Sequence, residues 1–140
     1  MAERTQKPLE LILARNLLTN ISTPAFLVDH RGVLMFYNEA AGALLGIAFE
    51  DAGHMDPEEW GTRFGPFDSA GERIPVHDLP LIIALRERRA VHTSFCIHNA
   101  NGEKHDIEVS ALPITANETS GAIAIFWPAD EPLASERAER

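Results

Sequence analysis

Ala25-Phe26-Leu27-Val28-Asp29-His30-Arg31-Gly32-Val33-Leu34-Met35-Phe36-Tyr37-Asn38 is the stretch on which the fold turns. Two apolar runs of strand length flank a polar tetrapeptide, and Gly32 can take the positive φ that a tight turn needs. The spacing predicts strands over 25–29 and 33–37. Asn38 then heads Glu39-Ala40-Ala41-Gly42-Ala43-Leu44-Leu45. Its side-chain oxygen can accept from an orphan N–H one turn on, which starts a helix, and Gly46 suits the helix end. The remaining strand-like segments lie at the far end of the chain. One antiparallel sheet is thus split into two sequence halves with helices between. The class is α+β, and a hollow between sheet and helices is expected.

Upstream, residues 8–21 read as a helix with Pro8 in its first turn. Leu9, Ile12, Leu13, Leu17 and Ile21 share one face, while Leu11, Ala14 and Leu18 form a second apolar strip. One strip suffices to dock on a domain. The other calls for a partner, most simply the same helix of a second subunit. Ser22-Thr23-Pro24 ends the helix.

Downstream, Asp56-Pro57-Glu58-Glu59 announces a short helix ending by Gly61. Residues 62–76 carry turn signals at Gly65-Pro66 and Ser69-Ala70-Gly71. A longer helix is expected from about Leu79 to Arg89, with Asp78 as its cap and Leu81, Ile82 and Leu85 facing inward. The basic run Arg86-Glu87-Arg88-Arg89 is then its last turn, where cations complement the helix dipole.

The last third alternates at strand period over 91–98 and 104–112, and Ala122–Trp127 is a continuous apolar strand stopped by Pro128. Matching apolar faces pairs Ile97 with Ile107 and Phe95 with Val109, so Asn101-Gly102 should sit in a three- or five-residue loop. Asn117-Glu118-Thr119-Ser120-Gly121 reads as the following turn. Residues 129–140 read as a mobile charged tail.

Composition is that of a single globular domain: 45% apolar, 24% charged, 140 residues. A net charge of −9 disfavours nucleic acid or anionic lipid as main partner. No apolar run nears the ~20 residues of a membrane helix. No signal peptide is evident, and the single Cys96 fits a reducing compartment, so the cytoplasm is expected.

Chemistry-bearing clusters are sparse. The register above sets His98 opposite Asp106 and Cys96 opposite Glu108, with His92 on the same side. These are groups zinc would accept. Polar alternation is also what any outward sheet face shows, so cross-strand polar pairs with mild pH sensitivity are expected and a metal is not. Asp29-His30 and His77-Asp78 have no serine or cysteine beside them, and no catalytic residue is assigned.

From Ser22 to Pro128 the chain resembles a PAS domain. The residues that carry the likeness are Pro24–Asp29 with Gly32, Tyr37-Asn38-Glu39-Ala40-Ala41 with Leu45-Gly46, Phe67–Pro75 leading into Asp78-Leu79-Pro80-Leu81, and the hairpin around Asn101-Gly102-Glu103. The resemblance implies three parts: a helical cap over 1–21, a PAS domain over 22–128 and the tail over 129–140. It implies a five-stranded antiparallel sheet with short helices and a longer F helix on one face. It further implies a non-catalytic sensory or protein-interaction module of bacterial type. With no effector attached, such a module acts in trans. It would be a homodimer formed through Leu9, Leu11, Ile12, Leu13, Leu17 and Leu18, through the outer sheet face, or through both, and would signal to a separate effector protein.

Family members hold haem, flavin, metabolites or nothing in their cavity. The Asn-Cys-Arg-Phe-type motif of flavin photosensors is missing, which argues against flavin. Haem needs an axial ligand, for which His77 and His54 are the candidates. No cofactor is the first expectation, a haem-based gas or redox sensor an alternative, and a small enzyme with a cone-shaped α+β pocket another. An apolar pocket would draw on Phe36, Tyr37, Trp60, Phe64, Phe67, Leu81, Leu85 and Phe95, residues that would equally serve as plain core. A cyclic nucleotide or dicarboxylate would require Arg63 and Arg73 to converge on it.

Overall fold

The structure is a computed structural model that describes residues 9–63, 66–115 and 119–129. Its sheet has five antiparallel strands in the order β2-β1-β5-β4-β3. These are β1 (Ala25–Asp29), β2 (Leu34–Tyr37), β3 (Val91–His98), β4 (Lys104–Thr115) and β5 (Thr119–Pro128). The C-terminal strand therefore lies between the two halves of the chain, and β1 joins it through pairs from Ala25↔Ile125 to Asp29↔Gly121. The helices are α1 (Leu9–Thr19), α2 (Glu39–Leu45), α3 (Phe49–Ala52), α4 (Pro57–Arg63) and α5 (Pro80–Glu87), with a 3₁₀ turn at Val76–Asp78.

One turn chemistry is used three times. Asp29, Asp68 and Asn99 each accept, through Oδ1, the backbone N–H groups two and four residues on, at 2.9–3.0 Å. Each turn closes on a glycine with φ near +85°: Gly32, Gly71 and Gly102. An acceptor side chain followed three residues later by glycine thus sets all three reversals.

Several expectations are corrected in detail. The β3–β4 register is shifted by two residues: Phe95 pairs with Ile107, Cys96 with Asp106 and His98 with Lys104. A two-residue slip leaves every side chain on its expected face, so hydrophobic alternation cannot distinguish the two registers. The connecting loop is still odd, five residues from Asn99 to Glu103. Thr119–Gly121 belong to β5 and not to a turn, and residues 116–118 lie outside the described residues. So do Pro8 and the tail beyond Ala129. Asp78 does not cap α5. It closes the 3₁₀ turn, and Leu79 takes the cap position with no side-chain bond. The helix ends at Glu87 because Arg88 turns left-handed, φ +57°, and its N–H bonds Ala84 O. The short α3 had no counterpart in the sequence reading.

The strand edges are blunted. Leu34 on β2 is bridged by Met55, and Cys96 on β3 by Phe67. Beyond Ala111, where β3 has ended, β4 places Pro113, which has no N–H to offer a further strand.

Two apolar cores lie on opposite faces of the sheet. The inner one packs α2, α4 and α5 onto Phe26, Val28, Ile97, Ile107, Val109 and Phe126. Trp60 in it donates Nε1–H to Gly32 O at 2.9 Å, tying α4 to the first hairpin. The outer core sets Leu11, Ala14 and Leu18 of α1 against Ala25, Leu27 and Phe36. Gly121 permits this close docking, since an added Cβ would run into Val28 O and lie 2.8 Å from Leu11 Cδ2.

Candidate functional site

Between the inner sheet face and the helices lies a cavity of about 70 Å³. Its floor is Phe26, Phe95, Ile97, Ile107, Val109, Ala124 and Phe126, and its roof is Leu45, Trp60, Pro66, Leu79, Pro80 and Leu81. Phe26 is the aromatic centre of this region. It stacks on Tyr37 at 5.3 Å and meets Phe126 and Trp60 edge-on at 5.3 and 6.4 Å. Every lining residue is apolar or aromatic, so the space recognises shape and apolar surface.

Of the pocket residues expected from sequence, Trp60, Leu81 and Phe95 line this space. Leu85 only packs against the surrounding core. Tyr37 faces inward without reaching the cavity and donates its hydroxyl to Ile47 O at 2.6 Å. Burial pushes that hydroxyl up to about 12, with Arg63 opposing and Glu50 and Asp51 reinforcing the shift. Phe36 is not a pocket residue. A bulge between Leu27 and Val28 pairs Leu27 with Phe36 and Val28 with Leu34, leaving Met35 extra and Phe36 on the outer face. Phe67 is not among the lining residues and is bridged to Cys96, and Phe64 lies outside the described residues. Sequence reading missed Phe26 and Phe126 as lining, although the apolar runs containing them were plain. What it lacked was the pairing that points both rings to one side.

Asn38 is the polar node of the molecule and is buried. Its Oδ1 accepts from Ala41 N at 3.0 Å and Ala25 N at 3.1 Å. Its Nδ2 donates to Leu18 O at 3.1 Å and Thr23 O at 2.9 Å. One side chain thereby joins the end of α1, the linker, β1 and the start of α2. Arg15 adds a second tie, its guanidinium lying 4.5 Å from the Phe36 ring centre.

On the outer face, His92 contacts Ser110 Oγ at 2.9 Å and Glu108 Oε1 at 3.0 Å, beside Trp127. Of the expected cross-strand polar groups, His92 forms such a pair, while the register shift sets Cys96 opposite Asp106 and His98 opposite Lys104. Among the described residues no three His, Cys, Asp or Glu side chains are gathered to hold a metal ion. Arg63 and Arg73 do not line the cavity.

Solved structures resemble the chain over nearly its whole length. The PAS domain of a two-component sensor histidine kinase superposes with a TM-score of 0.59 at 16% identity, covering 86% of this chain and 96% of that one. The chain has the PAS fold. The LOV protein of Rhodobacter sphaeroides superposes with a TM-score of 0.69 at 16% identity, covering 93% and 73%. The PAS domain from Bordetella pertussis BvgS gives 0.56 at 15% identity, covering 93% and 94%. No family model matches the sequence, and no curated protein does.

In the PAS fold α5 takes the place of the F helix, and it roofs the cavity. The cavity's residues do not fit haem. His77 is exposed beside Asp78 in the 3₁₀ turn, and His54 is exposed against the ring of Phe49, so neither reaches the cavity. Nor does Cys96 reach it, which lies on the outward-facing side of β3 with His92. Cavities of about 150 Å³ admit benzene, and cofactor pockets run to about 300 Å³ or more. Among the described residues no helix is long and apolar enough to cross a membrane.

Proposed function

We propose that this PAS-fold chain is a non-catalytic sensory and protein-interaction module of signal transduction, working in the cytoplasm as a homodimer. The observation that carries the reading is the division of α1. Leu11, Ala14 and Leu18 are buried against the sheet, while Leu9, Leu13 and Leu17 stay 57–65% exposed, with Ile12 at 46%. A row of four large apolar side chains on one short helix is poorly placed in water, and a second copy of the same helix covers it symmetrically. The blunted strand edges favour association through faces over edge-to-edge pairing. Asn38 and Arg15 support a coupling between that interface and the sheet, because Asn38 ties α1 to β1 and α2 and Arg15 stacks α1 on Phe36 of β2. A small apolar guest in the cavity is the proposed input. It biases two packings of the same fold, as any ligand with differential affinity does.

The test is the solution mass of the full chain and of the Leu13→Glu/Leu17→Glu variant. The full chain is expected to run as a dimer and the variant as a folded monomer. A wild-type monomer, or a variant that remains dimeric, removes α1 from the account.

A further inference from the structure

The cavity is bordered at one corner by a small hairpin, residues 66–74. The hairpin is internally complete. Ile74 N–H donates to Pro66 O at 2.9 Å, Asp68 N–H to Glu72 O at 2.8 Å, and the Asp68 carboxylate closes its turn. Buried Pro66 forms part of the cavity wall, while Asp68–Arg73 are exposed. The next residue, Phe67, pins the hairpin to the edge of β3. Its N–H donates to Cys96 O at 2.8 Å and its carbonyl accepts from Cys96 N–H at 2.9 Å. The Phe67 ring lies 4.4 Å from that of His98, and the Arg73 guanidinium sits 5.0 Å from its centre. Arg73 also reaches Thr62 O at 2.9 Å. Cys96 in turn is the neighbour of Phe95, which lines the cavity as Pro66 does.

The wall of the cavity and the pin on the sheet edge are therefore adjacent residues on both sides. From this we infer that the 66–74 hairpin is a displaceable edge strand: an apolar guest larger than the cavity enters by moving Pro66 outward, which breaks the Phe67–Cys96 pair and bares the β3 edge. The hairpin can move as a unit because its own hydrogen bonds travel with it. A cavity of about 70 Å³ is half the size that admits a benzene ring, so a two-ring guest must displace some wall. The other lining residues stand on helices, at the cap of α5 or on strands hydrogen-bonded along the sheet. Occupancy inside thus becomes a change of surface outside. The inference rests on the cavity reading proposed above.

Naphthalene is a suitable probe, and the chain's single cysteine supplies the lock. A hydrogen-bonded antiparallel pair holds its Cα atoms about 5.5 Å apart, within disulfide reach, so Phe67→Cys can be oxidised onto Cys96. Binding is read from the methyl resonances of Leu81, Ile97 and Val109. The oxidised variant is expected to bind naphthalene about tenfold or more weakly than the same chain reduced, since the open state is withdrawn. In the unaltered protein, naphthalene is expected to speed hydrogen exchange of the Cys96 amide by a similar factor. Equal binding by locked and reduced chains, or binding with unchanged Cys96 exchange, overturns the gate while leaving the cavity reading intact. If no methyl signal moves in any form, the cavity takes no such guest and both readings fall.

Discussion

On the inner side of the sheet, α2, α4 and α5 cover an apolar surface and leave a small cavity beside Phe26. On the outer side, α1 covers β1 and β5 with three residues and turns its broader apolar strip to water. Both sides draw on leucine, isoleucine, alanine and phenylalanine, so composition does not separate them. The difference lies in how many elements are available. Helices from the long middle segment converge on one face, while the other is met by α1 and, of that segment, by Phe49 of α3. The inner side therefore specifies the domain, while the outer side has apolar surface left over for association.

The sharpest test of that contrast is Asn38, the residue that links the two sides. Asn38→Ala leaves the buried N–H groups of Ala25 and Ala41 and the carbonyls of Leu18 and Thr23 without this partner. A loss of about 3–5 kcal/mol in urea unfolding is expected. A loss under about 1 kcal/mol would mean that α1 and the sheet are held independently. Next in size is the pair of neighbours Leu18 and Leu17. Leu18→Ala should cost about 2–4 kcal/mol, and Leu17→Ala within about 0.5 kcal/mol, both measured on a Leu13→Glu background that keeps the chain monomeric. Equal losses would erase the division of the helix.

Tyr37 gives a milder, pH-dependent probe of the inner side. Its folded pKa near 12 lies above the ordinary 10, so the folded state prefers the neutral phenol. That preference is fully present below pH 10 and is lost as pH rises toward 12, for a total of about 2–3 kcal/mol. The chain has one tyrosine, so tyrosinate absorbance reports the titration directly. Tyr37→Phe should abolish this alkaline loss while costing about 1 kcal/mol at neutral pH through the Ile47 hydrogen bond. An alkaline loss that persists in the variant would assign it elsewhere.

Much of the fold was legible because it rests on local chemistry. The first hairpin, the Asn38 cap, Gly46 and the face assignment of β3 and β4 all follow from short patterns whose physical cause acts within a few residues. The site was less legible. Phe36 was misplaced because one bulged residue reverses strand alternation, and nothing in Leu34-Met35-Phe36-Tyr37 marks where the extra residue falls. The β3–β4 slip escaped because either register buries the same side chains. Four-residue α3 has too few turns for a periodic signal.

By itself the sequence determined which segments are strands, which face of each strand is apolar, and where the chain reverses, since dihedral preference and burial act on near neighbours. Only the tertiary structure decided which strip of α1 meets the sheet, which rings surround the cavity and which loop closes it. Those outcomes depend on how closely backbones distant in sequence can approach. At Gly121 the missing Cβ lets α1 settle onto the sheet, and at Phe67 two backbone hydrogen bonds to Cys96 hold the cavity wall in place.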